Sequence, residues 1–165
     1  MMEHTKKVIE QMAKDTQPYK LYSIREGVVI DHIPARKALE VLSILGIEQD
    51  RDSIISIGIN FTSKKAGRKD VIKIENKELS KEELNKITLI APHATVNIIK
   101  NHEVAEKVKI VIPEKFEQII RCPNPKCITS YEKTASRFIT MNKDPLKVKC
   151  YFCERTFDKE DVKLL

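Results

Sequence analysis

The stretch Cys122-Pro-Asn-Pro-Lys-Cys127, followed after twenty-two residues by Cys150-Tyr-Phe-Cys153, holds all four cysteines of the chain. Each short pair closes a tight loop. Two such loops bring four thiolates to the corners of a tetrahedron, the geometry that Zn2+ prefers. No cysteine is left over, and both spacings suit a metal knuckle. Two disulfides would use the same residues but need an oxidising compartment. The N-terminal segment lacks the apolar stretch of an export signal, so a reducing cytoplasm is the expected location. Four thiolates also close the metal shell, whereas a catalytic zinc keeps one position open for water or substrate. The expected ion is structural, one per chain, and worth roughly 10–16 kcal/mol to the fold around it. A zinc-dependent enzyme fails on that count.

Working outward, Phe138, Ile139, Val148, Tyr151 and Phe157 supply a thin core for a small β-rich zinc-binding domain over residues 113–165, with Pro113 marking the linker. The remainder of a 165-residue chain is long enough for a second core. Four thiolates and one Zn2+ together add −2 to the formal +6, leaving about +4 on the metal-bound chain. That balance suits nucleotide phosphates, nucleic acid or a solvated surface. No apolar run reaches eighteen residues, so no membrane span is expected.

Residues 1–18 form a polar N-terminal extension. Val8, Ile9 and Met12 fall at helical spacing, compatible with a short amphipathic helix or a frayed tail. Residues 20–24 and 28–30 read as β segments around the turn-like pair Glu26-Gly27. Pro34 is placed for a first helical turn. Ala38, Leu39, Val41, Leu42 and Leu45 make an apolar stripe that Gly46 ends. An alternating strand at residues 53–61 is followed by a basic loop at 63–69 and a strand at 71–74. Ser80 and Glu83 form a capping box for a helix that runs to Ala91-Pro92. Two strands follow, at 94–99 and 103–111. The order β-α-β-β-α-β plus one strand predicts an α+β domain: a ferredoxin-like antiparallel sheet with two helices on one face.

The chemistry is sparse. Every cysteine is committed to metal, and neither a Walker loop nor G-x-G-x-x-G occurs among four glycines. Three polar features interrupt apolar strands: Asp31-His32 before Pro34, Lys73 among isoleucines, and Asn97 within Thr95-Val-Asn-Ile-Ile99. Each also reads as an ordinary turn or solvent-facing residue. Converging on one sheet face, they would suit a phosphorylated, ribose-bearing ligand, with lysine acting as a point charge on phosphate. The competing partner is nucleic acid, held by the loop at 64–69 and a zinc ribbon. Aromatic residues at 5% offer little for base stacking.

The motifs Gly27-Val-Val-Ile-Asp-His-Ile-Pro34, Gly67-Arg-Lys-Asp-Val-Ile-Lys-Ile-Glu-Asn76, Ala91-Pro-His-Ala-Thr-Val-Asn-Ile-Ile99 and Cys122-Pro-Asn-Pro-Lys-Cys-Ile128 resemble those of aspartate carbamoyltransferase regulatory chains. With the second knuckle, the likeness spans about residues 20–165. It implies a non-catalytic subunit with a nucleotide-binding allosteric domain at 19–112 and a zinc domain that docks on the catalytic chain. It also implies regulatory-chain dimers that bridge catalytic trimers, with CTP, ATP and, in some members, UTP as effectors in pyrimidine synthesis. By motif, Asp31 faces the ribose and His32 the triphosphate, while Lys73 reaches the ribose and base. Lys107 binds phosphate and Asn97 lies nearby. The backbones of Ile24 and His102 recognise the base, and Leu21, Tyr22, Ser23, Val71, Ile99 and Val104 line the pocket. Cys122, Cys127, Cys150 and Cys153 carry over as zinc ligands. Two departures bear on effector choice: the side chains at Leu21-Tyr22-Ser23, and His102 where familiar members have tyrosine.

Overall fold

The computed structural model describes residues 21–47, 51–63 and 67–165. Strands β1 (Gly27–Pro34), β2 (Ile55–Ser63), β3 (Gly67–Glu75), β4 (Thr95–Lys100) and β5 (Glu103–Lys109) build one sheet in the order β2-β3-β1-β4-β5. All of its pairings are antiparallel. Helices α1 (Ala38–Ile44) and α2 (Lys81–Ile90) follow β1 and β3. This is the expected split arrangement, with β5 as the added strand.

The side-chain period of two decides the layers. Val28, Ile30, Ile72, Ile74 and Val96 point one way and join Ala38, Val41, Ile87 and Ile90 of the helices in a single buried core. Val29, Lys73 and Asn97 therefore point the other way, onto a face that no helix among the described residues covers. Buried Ala38, Val41 and Leu42 set α1 on the sheet at helical spacing. Gly46, at φ 63, supplies the left-handed turn past its end. The capping box of α2 is formed: Glu83 N donates to Ser80 Oγ at 3.2 Å, and Ser80 N to Glu83 Oε2 at 2.7 Å.

Three local expectations change. Residues 21–24 are not a strand; Lys73 Nζ donates to Leu21 O at 3.2 Å and Tyr22 O at 2.9 Å, so a side chain, not a neighbouring strand, takes these carbonyls. Pro34 ends β1 instead of opening a helix, and its carbonyl accepts the turn bond from Lys37 N at 3.1 Å. The last strand of the sheet stops at Lys109. The extension at 1–18 lies outside the described residues.

The second region contains β6 (Lys115–Glu117), β7 (Ile120–Arg121), a one-turn helix α3 (Ile128–Tyr131), β8 (Arg137–Lys143), β9 (Leu146–Cys150), β10 (Thr156–Asp158) and β11 (Lys163–Leu164). Strands β10-β9-β8-β6 form one small sheet and β11-β7 a two-stranded ribbon. Phe116, Phe138, Ile120 and Val148 are almost fully buried, together with Cys122, Cys127 and Cys150. The thiols are thus part of the core as well as of the site. Leu89 of α2 belongs to this second core, and Leu164 packs against both. At the joint, Lys159 Nζ donates to Ile90 O at 2.9 Å, meeting a carbonyl that the end of α2 leaves unsatisfied.

Candidate ligand face and metal centre

The four sulfurs lie within 4.8 Å of one another. Cys122 and Cys153 Sγ are 3.7 Å apart, and Cys127 and Cys150 Sγ 3.9 Å. A disulfide needs about 2.05 Å, which excludes bonded pairs. A tetrahedron with metal–sulfur bonds of about 2.3 Å has edges of about 3.8 Å, which these separations match. The first knuckle is shaped by Asn124, whose Oδ1 accepts from Lys126 N at 3.1 Å and whose carbonyl accepts from Cys127 N at 3.0 Å. Thr129 Oγ1 donates to Cys127 Sγ at 3.2 Å. Burial raises the pKa of the Cys122 and Cys150 thiols. Cys153 is also raised by burial, but the Arg155 amide and the Asn124 side chain outweigh this and bring it down to about 7. Without a cation, four thiolates at this spacing repel. The cluster is built to hold a metal ion.

On the face of the first sheet opposite α1 and α2, register alone aligns one row of side chains. Ser56 stands opposite Lys73, Lys73 opposite Val29, Val29 opposite Asn97, and Asn97 opposite Lys107. With strands about 4.8 Å apart, the backbones at Lys73 and Lys107 are separated by about 14 Å. Gly27, Ile99 and Val104 form the next row on one side, and Asp31, Thr95 and Lys109 the row on the other. Val71, two residues from Lys73, shares this face and is buried. Burial lowers the pKa of Lys73, with no carboxylate beside its ammonium among the described residues.

The Asp31 end is organised by a bulge in β1 between Ile30 and Ile33. His32 adopts φ 60 there, and its Nδ1 lies 3.2 Å from Thr95 Oγ1. Asp31 accepts from Lys69 Nζ at 2.7 and 2.9 Å and from His32 N at 2.6 Å. Burial pushes the Asp31 carboxyl up, but Lys69 and the His32 amide hold it below the ordinary carboxylate range. At the opposite end, the hairpin turn Asn101-His102 has φ 51 and 67, the two positive values of a type I′ turn. It sets His102 N 3.0 Å from Arg25 O, beside the incoming 21–26 segment, where Ile24 is buried and Tyr22 and Ser23 are exposed.

Asp31, His32, Val71, Lys73, Asn97, Ile99, Val104 and Lys107 are therefore gathered on one face. Leu21, Tyr22, Ser23, Ile24 and His102 border it. A cavity of about 910 Å3 opens on the opposite face near α2, and among the expected pocket residues only Ile99 lines it. Lys69 and Thr95 were not singled out in the sequence. Register sets Thr95 opposite Asp31, whereas Lys69 stands opposite Pro34 and only its side chain reaches Asp31, past the bulge. Of the basic loop, 64–66 lie outside the described residues and Lys69 is held by Asp31.

A split α+β domain with a polar sheet face, joined to a four-cysteine module, defines a two-part protein with a candidate ligand face and a metal-binding module. Comparisons with known proteins agree. Residues 19–111 match the allosteric domain of the aspartate carbamoyltransferase regulatory chain, and 114–163 its metal-binding domain. Aspartate carbamoyltransferase regulatory chains of Pyrococcus horikoshii and Pyrococcus furiosus are each 51% identical over 144 residues, covering 87% of this chain and 95% of theirs. That of Thermoplasma volcanium is 49% identical over the same shares. The chain belongs to the aspartate carbamoyltransferase regulatory chain family. It is a regulatory, non-catalytic chain with an allosteric and a metal-binding domain.

Proposed function

We propose that residues 19–112 bind nucleoside triphosphates (CTP, ATP and, as in some family members, UTP) on the sheet face away from the helices. The observation that carries this is the row Lys73–Val29–Asn97–Lys107, with Asp31 and His32 one row along. Two lysines about 14 Å apart suit opposite ends of an elongated anionic ligand. Asp31 and Lys73 serve the ribose and base end, and His32, Asn97 and Lys107 the phosphates. Residues 113–165 hold one structural Zn2+, which the four-sulfur donor set and spacing favour, and dock on catalytic chains of aspartate carbamoyltransferase. Exposed Ile128, Tyr131, Tyr151 and Phe152 around the knuckles supply apolar area for that contact. The edge of β2, unpaired among the described residues and with Ile57 and Ile59 exposed, suits pairing with a second regulatory chain. The setting is the cytoplasm and the task is control of pyrimidine synthesis.

Nucleotides can shift activity only by binding two states of the assembly differently, and couplings of about 1–3 kcal/mol are typical. The test is sedimentation of the zinc-loaded chain with catalytic trimers of the same organism, followed by CTP and ATP titrations of activity. A heavier species whose activity responds to nucleotide supports the reading. Trimers that sediment unchanged overturn the docking assignment, and a salt-dependent gel shift with RNA or DNA would then favour nucleic acid.

A further inference from the structure

A second polar pocket, of about 410 Å3, opens beside the first metal knuckle, away from the sheet face described above. Its wall includes Gln118, Arg121, Lys133, Thr134 and Ser136, with no Asp or Glu side chain, and on one side Cys122, whose sulfur belongs to the metal centre. Ser136 is 5% exposed, and its Oγ is buried without any hydrogen-bond partner. The Ser136 carbonyl is already used, accepting from Gln118 N at 3.0 Å, so the hydroxyl alone is unspent. Buried polar side chains are nearly always satisfied. Arg121 and Lys133 make no ion pair among the described residues, and no such pair joins either cation to Leu165, which also lines the pocket.

From these residues we infer an oxyanion-binding site, for a phosphate or a carboxylate group. The unspent O–H of Ser136 donates at the back, the Arg121 fork donates in pairs, and the Lys133 ammonium supplies a point charge at the rim. Because both cations are exposed to solvent, water screens them and affinity for a free ion is weak. The same group borne by a docking protein would be held more tightly, since it arrives with other contacts.

The experiment is an NMR titration of the full-length, metal-loaded chain with inorganic phosphate, at ionic strength fixed with chloride. Saturable shifts at the amides of Gln118, Thr134 and Ser136 are expected, weakened at least tenfold in Arg121→Gln/Lys133→Gln. Lys133→Gln, which is remote from the metal ligands, should show the same direction with unchanged metal content. Shifts that stay linear as with chloride, or equal affinity in both variants, overturn the site. Two further arms identify the source of the anion, and both support the site: phosphate that competes with binding of catalytic trimers assigns it to a partner carboxylate, and saturable phosphate binding indifferent to trimers assigns it to free phosphate. The first arm rests on the docking reading. Absence of any trimer complex would defeat that reading while leaving the phosphate titration to decide the site.

Discussion

The carboxylate of Asp70, on β3, accepts the first amide of α1: Ala38 N lies 3.0 Å from Asp70 Oδ2. Its other oxygen takes Asn60 N at 2.8 Å, and the residue is wholly buried. One side chain thus caps a helix from another element and closes the bulge region of β2. Asp70→Ala leaves two backbone donors unsatisfied and should cost about 3 kcal/mol. Urea unfolding should show a lower midpoint with an unchanged slope. A midpoint like that of the parent chain would mean water replaces the cap.

Metal removal should act locally. Cys122, Cys127 and Cys150 are core members of the second region, whereas the first sheet has its own core. Chelation, or Cys150→Ser, should melt residues 113–165 while the five-stranded sheet keeps its amide protection. The same variant should fail to assemble with catalytic chains. Full assembly by Cys150→Ser would break the proposed division of labour.

Lys107 stands opposite Asn97 at the β5 end of the row and is exposed. Lys107→Ala should weaken CTP and ATP alike, by about tenfold, the loss of one charge-assisted contact. Calorimetric titration reads this directly. Unchanged CTP affinity would remove Lys107 from the site.

The depressed pKa of Asp31 gives stability a pH dependence of definite sign. Its contribution is complete above the unfolded-state value near 3.9 and is lost as pH falls through the lower folded-state value. Acid unfolding of Asp31→Asn should therefore fall less steeply below about pH 4 than that of the parent chain. Parallel acid limbs would show that Lys69 does not hold the carboxylate in solution.

Lys159 bridges the two regions through the Ile90 carbonyl, and burial lowers its pKa. Lys159→Met keeps the aliphatic stem and removes the donor. It should cost about 1 kcal/mol and reduce the nucleotide response of the assembled enzyme more than nucleotide affinity itself. Equal response with equal stability would make the contact incidental.

Sequence alone determined what is local or compositional. The cysteine spacing announced the metal centre because two short loops constrain four thiols whatever surrounds them. The Ser80–Glu83 box and Gly46 marked helix ends through bonds within a few residues, and alternating isoleucines announced half-buried strands. Tertiary structure decided what depends on register. Whether Lys73, Asn97 and Lys107 meet is fixed by pairings among strands far apart in the chain, and a slip of one residue would turn each of them into the core. The Asp31–Lys69 pair, the Asp70 cap and the carbonyls that Lys73 takes from residues 21–22 are likewise long-range. In each case the polar partner lies tens of residues away, and only the folded sheet brings it within hydrogen-bond reach.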